Sequence, residues 1–411
     1  MKEILKDPVL FLIALSIVFA CTSLGNSIIT ALVFTATTVS IFLKDGIKPF
    51  KRKSLILYLG FVAIVLIYAG FGKGTLSGRT FNMSIFSFIS MFSVFMVSYH
   101  VKTLNNRQIK ALMKVAMIAL LFSIVGTTVV SYINPMAIRV YGFGEMEGAD
   151  LEIASRYYRM GMMSYSLAHS MSVVVVGLSI LILYARSKWL KIVSAVMLLL
   201  TLRLLFIMTI TTALLLAVIG VAIVFANYFL GGRAFITISL TVLVVAGFFL
   251  TGLSAMFLDF SEGTNLEITK KLADLFSLAK SGAAQGQIGY RIELYWASLK
   301  TFFSNPIFGW GSDNGSRLII GEHSYMFDYM AYYGLFALLL FLSWWNEYHF
   351  LKSYLTKNNK VFYYYAFIPV AGLFILKGSS VCGTLPFMSL VFIQIVFLYM
   401  DNLPKENRYS E

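Results

Sequence analysis

Charge is scarce in this chain. Asp, Glu, Lys and Arg make up 13% of its 411 residues, about half the roughly 25% usual for a soluble globular domain. That shortage excludes an ordinary water-soluble protein and makes domain counting by length inapplicable. Cysteine is almost absent: Cys21 and Cys382 are the two, each inside an apolar segment. With no CxxC and no Cys/His cluster, a structural metal site is not expected. No internal repeat is evident, which weakens the case for a transporter built from inverted halves. What is present is apolar: 59% hydrophobic residues and a mean hydropathy of +0.80. The composition is that of an all-α polytopic membrane protein. The net charge of +14 then reports Lys and Arg in cytoplasmic loops and near anionic lipid, with no nucleic-acid partner implied.

A span needs roughly 17–25 apolar residues. Twelve transmembrane helices are read, at 8–23, 26–43, 54–71, 80–98, 115–133, 162–184, 192–208, 211–230, 234–252, 324–344, 361–376 and 381–400. Residues 1–252 thus hold spans one to nine, with an external loop at 134–161. Residues 253–323 form one large external loop, 324–400 hold spans ten to twelve, and 401–411 are a cytoplasmic tail. Val18-Phe19-Ala20-Cys21 faintly resembles a lipoprotein cleavage site, but Phe19 is too large for one, so the first span is read as uncleaved. With the N-terminus inside, 20 of the 33 Lys and Arg fall on the inner side, giving an N-in, C-in topology.

The large loop carries two helical patterns. Leu272, Leu275, Phe276 and Ala279 share one face, and Ile288, Ile292, Tyr295, Leu299 and Phe302 form a second apolar stripe. Such helices can lie along a membrane surface, and Asn305-Pro306 predicts the end of the second. Arg291 opens that helix, with Tyr295 one turn on. An arginine stays charged and offers a planar fork of donors that suits phosphate; a surface arginine on an amphipathic helix is the plainer reading. Gly309-Trp310-Gly311-Ser312-Asp313-Asn314-Gly315 is either a turn aiming backbone N–H groups at an anion or a simple reversal. His323 stands where the chain re-enters the membrane, preceded by Glu322 and followed by Asp328; histidine exchanges protons near neutral pH and can bond a phosphate oxygen. Arg203 lies inside the seventh span, where arginine is costly and marks a site by default. Arg156 and Arg159 precede the sixth span, and His169 lies within it. Tyr325 and Tyr329 are candidates to stack on sugar rings.

Arg291, Trp296, Asn305-Pro306, Gly309-Trp310-Gly311, His323 and Gly334-Leu335 follow in an order that resembles the O-antigen ligase and polymerase superfamily. That superfamily includes the oligosaccharide repeat-unit polymerases of O-antigen and capsule synthesis. The motif covers the end of the large loop, and the twelve-span plan extends the resemblance along the chain. Two departures stand out. Ser324 follows the histidine where the family usually has Asn, and the turn Met208–Ala213 lacks the arginine the family tends to carry there.

The resemblance implies a multi-pass glycosyltransferase of the bacterial cytoplasmic (inner) membrane, its site facing outward. It would join glycans carried on undecaprenyl diphosphate without metal or other cofactor. Arg291 and His323 map to the family's loop arginine and histidine. Arg203 and Arg159 are the expected further contacts to the diphosphate, and Glu322, Asp313 and Glu293 the alternative bases. Expected partners are the lipid-linked glycans, membrane lipids, and a chain-length regulator and flippase of the same pathway. Three other readings stay open: a ligase moving finished glycan to lipid A core or protein, a flippase of the lipid-linked repeat, and a non-enzymatic scaffold.

Overall fold

In the computed structural model the described residues are 2–22, 24, 27–71, 79–134, 149–163, 165–208, 210–230, 286–311, 320–321, 323–353, 360–377 and 385–401. Among them every regular element is helical. Apolar surroundings explain this: with no water to bond, backbone amides must be satisfied within their own segment.

The first part of the chain forms α1 (Lys2–Lys6), α2 (Pro8–Thr22), α3 (Ser27–Asp45), a 3-10 turn (Lys48–Lys51), α4 (Lys53–Gly70), α5 (Arg79–Val101) and α6 (Asn106–Ile133). Then come α7 (Ala149–Arg159), α8 (Tyr165–Tyr184), α9 (Lys188–Ile207) and α10 (Thr211–Leu230). The last part forms α11 (Gly286–Ser304), α12 (Tyr325–Tyr333), a 3-10 turn (Gly334–Phe336), α13 (Ala337–Ser353) and α14 (Lys360–Leu376). It ends in α15 (Leu385–Phe387), a π-helical turn (Met388–Phe392) and α16 (Ile393–Asp401). Among the described residues seven stretches are long and apolar enough to cross a membrane, the last running from Tyr325 to His349, and four shorter apolar helices accompany them. Every segment read as a span from sequence coincides with helix except the ninth, 234–252, which lies outside the described residues, as does the helix around Leu272.

The core is built round α8. Of its apolar window 83% is buried, and α9, α10, α14, α16 and the π turn all pack on it. Small residues permit the close approach: a Cβ at Gly220 would stand 2.7 Å from Val176 Cγ2, and one at Gly177 would stand 3.0 Å from the Phe392 ring.

Polar pairs gather at one end of the bundle. Lys44 meets Asp7 at 2.7 Å and His100 meets Asp45 at 2.7 Å. Glu347, fully buried near the end of α13, pairs with Arg52, accepts from Ser54 Oγ at 2.7 Å and Ser98 Oγ at 2.5 Å, and lies 3.8 Å from Lys102 Nζ. The segments joined here start α2 and α4 and end α3, α5 and α13, all of them read from sequence as lying at the inner side. In the same region Asn105 caps α6 reciprocally: its Oδ1 accepts from Gln108 N at 3.1 Å, and Gln108 Oε1 accepts from Asn105 N at 3.0 Å.

One expectation is corrected. The tenth span was read as a single helix from Ser324, but the chain breaks at Gly334, whose φ is 58° and ψ −141°. That conformation is open only to glycine. It lets the Gly334 Cα press against the Ile307 carbonyl, while Leu335 N donates to Pro306 O at 2.8 Å.

Candidate functional site

Helix α11, which carries the apolar stripe read over Ile288–Phe302, ends at Asn305-Pro306 as expected. Its docking on α12 is polar and buried. Asp328 of α12 accepts from Ser298 Oγ at 2.6 Å and from Ser324 N at 3.0 Å. Ser298 Oγ in turn accepts from Gly321 N at 2.9 Å. Ser324 also caps α12 by accepting from Phe327 N at 3.2 Å. Serine and asparagine are comparable N-caps, so the departure from Asn at this position keeps a cap.

This small network seats His323 directly and holds α11, the helix that carries Arg291. His323 Nδ1 lies 2.9 Å from the Gly321 carbonyl. A carbonyl can only accept, so Nδ1 carries the proton, and Nε2 of this exposed side chain is the acceptor. The Tyr290 ring stands edge-on to His323 at 6.4 Å, next in sequence to half-buried Arg291. One turn on, the Tyr295 hydroxyl donates to Leu376 O at 3.0 Å, tying α11 to the end of α14. Burial raises the Tyr295 hydroxyl above its ordinary pKa; the Arg291 charge opposes that shift and Asp328 adds to it. Arg291, Tyr295 and Asp328 are therefore electrostatic neighbours. The Lys377 carbonyl accepts from Tyr325 N, and Lys377 itself is buried, so a second cationic residue ends at this cluster.

Other candidates fall elsewhere. Glu293 is exposed on α11, two residues and therefore about 200° round the helix from Arg291. Glu322 and Asp313 lie outside the described residues. Arg203 is held by α6: its guanidinium sits 4.5 Å over the Tyr132 ring and donates to Ser131 Oγ at 3.4 Å. Arg159 is exposed at the end of α7 and donates to Ser155 Oγ at 3.1 Å, just before Gly161, which lies against Leu24 and Phe122. His169 is fully buried in α8. Arg203 is thus engaged by α6 and Arg159 by its own helix α7, while Arg291 stands one turn before Tyr295 on α11.

Of the glycine turn only Gly309–Gly311 are described, residues 312–315 lying outside the described residues, and these three take the plainer of the two readings. Gly309 N donates to Asn305 O at 2.8 Å, Trp310 N to Ala331 O at 3.0 Å and Gly311 N to Tyr332 O at 2.8 Å. These three N–H groups serve the fold and do not face an anion. Gly309, at φ 66°, is pressed so close that a Cβ would stand 2.5 Å from Gly334 N. Tyr325 and Tyr329 are also reassigned. Tyr325 is buried and stacked on Phe374 at 5.2 Å, and Tyr329 packs on Phe61 at 5.9 Å. Exposed Tyr290 is the aromatic beside His323.

Sequence reading missed Ser298, Gly321, Lys377 and, at the far end, Glu347. Glu347 was legible in principle, because a glutamate within the run Leu338–Tyr348 demands a partner. Ser298 and Gly321 carried no signal, since they matter only through a contact that loop closure creates. No family model and no curated protein matches this chain.

Proposed function

We propose that this protein polymerises oligosaccharide repeat units carried on undecaprenyl diphosphate at the outer face of the cytoplasmic membrane, as the resemblance to the O-antigen ligase and polymerase superfamily implies. The observation that supports this reading is that α11, the helix carrying Arg291, docks through Ser298 on Asp328 and Gly321, and the Gly321 carbonyl in turn bonds His323, at the end of the bundle opposite the Glu347 cluster. The Lys and Arg bias puts the Glu347 end inside, which leaves the Arg291 end outside.

In the reaction the acceptor hydroxyl oxygen bonds to the donor's anomeric carbon, and the bond from that carbon to the diphosphate oxygen breaks with its electron pair. Arg291 stabilises the charge gathering on the leaving diphosphate, the kind of fixed donor that contributes most when aimed at developing charge. Lys377, whose carbonyl accepts from Tyr325 N, is a further cation of this end of the bundle. The acceptor proton goes to His323 Nε2, the ring nitrogen left as acceptor once Nδ1 bonds Gly321. Tyr290 offers an exposed ring to a sugar face.

The ligase reading uses the same groups with another acceptor. The flippase reading calls for charge along a central path, and the buried Glu347 cluster lies instead near one end. The test is purified protein in nanodiscs with a lipid-diphosphate-linked repeat unit, comparing wild type, Arg291→Ala and His323→Ala on a polysaccharide gel. A ladder from wild type that both variants lose supports the proposal. Transfer to an added acceptor lipid without a ladder favours the ligase, and no reaction from folded wild-type protein overturns the enzymatic reading.

A further inference from the structure

Helix α11 divides into three sectors. Leu294, Ser298, Arg291, Phe302 and Tyr295 turn towards the protein, buried or half-buried. Going on round the helix, half-buried Leu299 and Ile292 lead to Phe303 and Trp296, which are 69% and 57% exposed. Exposed Lys300, Glu293 and Ser304 follow. The described residues of the apolar stripe read from sequence are thus buried or half-buried, and beside them stand two bare aromatics that the stripe did not include. The chain beyond α11 continues the pattern, with Ile307 and Phe308 exposed.

The level of this surface is set by its contacts. Tyr68, two residues from the end of α4, donates to the Phe308 carbonyl. Exposed Phe71 follows α4 directly, and the Phe308 ring lies 6.1 Å from Phe336, at the head of α13. Leu335, exposed at the same point, bonds Pro306 O. The bare patch therefore begins where the membrane-length helix α4 ends and α13 starts, and it is continuous with the apolar outer surface of both. Aromatic residues with a lysine beside them match the water–lipid boundary.

We infer that α11 is an interfacial helix: its Trp296–Phe303 sector, with Ile307 and Phe308, is immersed in the headgroup region of the adjoining leaflet, while Lys300 and Glu293 face water. The inference holds whether or not the protein transfers sugars. If the proposed function is right, α11 also holds Arg291 at headgroup depth, where a lipid-borne diphosphate reaches it without leaving the leaflet.

The test places a polarity-sensitive fluorophore at Trp296→Cys, Phe303→Cys or Lys300→Cys, in full-length protein in phospholipid nanodiscs containing lipid with a shallow doxyl quencher. Cys382 is replaced; Cys21 is kept if its replacement impairs insertion, being fully buried and slow to label. Immersion predicts blue-shifted emission at 296 and 303, quenched at least threefold more than at 300. Equal, water-like emission and equal quenching at all three positions overturns it. So does shielding at 296 and 303 without quenching, which would mean a second copy or another protein covers the sector. Because the readout needs no turnover, it fails or succeeds independently of the gel assay.

Discussion

At the residue scale the structure separates two buried carboxylates with different duties. Asp328 is fed by a serine hydroxyl and a backbone N–H, and its duty is to hold α11. Hydrogen bonds to charged groups contribute about 1.5–3 kcal/mol each. Ser298→Ala removes one of them and also strips Gly321 N of its acceptor. The expected result is that α11 loosens while the bundle stays intact: limited trypsin digestion should cut at Arg291 or Lys300 at least tenfold faster, with little change in thermal midpoint in detergent. Unchanged cleavage would mean the serine bonds do not hold the helix. Glu347 has the opposite character, since it joins α4, α5 and α13 at once. Removing one member of a buried ion pair costs about 3–5 kcal/mol because the other charge is stranded, so Glu347→Ala should fail to accumulate or melt far below wild type.

In the same cluster Glu347 pairs more closely with Arg52 than with Lys102, which lies in the turn after α5 and is only 4% exposed. Burial drives its pKa down to about 6, with Arg52 adding to the fall and Glu347 opposing it. The sign of the pH effect follows. Above about pH 6 the folded protein sheds this proton, while the unfolded chain keeps it to about pH 10.4. Unfolding then takes up a proton, and stability rises with pH across that window. Lys102→Met should therefore be tolerated at neutral pH and should flatten the rise in thermal midpoint between pH 6 and 9. The neighbouring His100–Asp45 pair stays in both proteins, so the difference between their slopes isolates Lys102. An unaltered slope in Lys102→Met would show that the ammonium stays charged.

At the scale of elements, the most informative contact is backbone on backbone. Gly309 and Gly334 stand in the left-handed region of φ with no room for a Cβ on either, and four N–H to carbonyl bonds among residues 305–335 lock the chain after α11 to the break between α12 and α13. Gly309→Ala combines a strained φ with a clash against main chain that cannot yield. The expected outcome is a protein that inserts but loses activity more than a hundredfold, with residues 305–311 opened to protease. Retained activity would mean the break is not needed to build the site.

This contact also shows what sequence could and could not reveal. Apolar runs longer than a helix turn are read one residue after another, so nearly every helix of the bundle was legible, and so was the stop at Asn305-Pro306. The break at Gly334 was not: Gly-Leu entering an apolar run reads as helix, and only the carbonyl of Ile307, distant in sequence, makes the glycine necessary. The α11 stripe was legible and its described residues are buried or half-buried, but the contact that docks it, Ser298 on Asp328, is polar and carried no hydropathy signal, and the bare Trp296 and Phe303 beside it were not read as a surface. Arg291 and His323 were singled out by type and position. Their common support was invisible because Ser298 and Gly321 are ordinary residues whose importance lies in closure of the loop.

At the scale of the whole molecule, polarity is sorted by end. The Asp7–Lys44, Asp45–His100 and Glu347 contacts occupy one end, and Arg291, His323 and the glycine contact occupy the other. A bundle sorted in this way has a definite sidedness, and the proposed function requires the Glu347 end, with its surplus of Lys and Arg, to face the cytoplasm. The prediction is tested in intact cells with a membrane-impermeant maleimide, in a protein whose only other cysteine is buried Cys21. Lys300→Cys, on the water-facing sector of α11, should label without permeabilisation; Lys48→Cys, in the 3-10 turn between α3 and α4, should label only after it. The reverse pattern would turn the protein over. It would place Arg291 and His323 in the cytoplasm, where a donor presented at the outer face could not reach them, and the proposed polymerase would have to be abandoned even though every contact within the bundle stood.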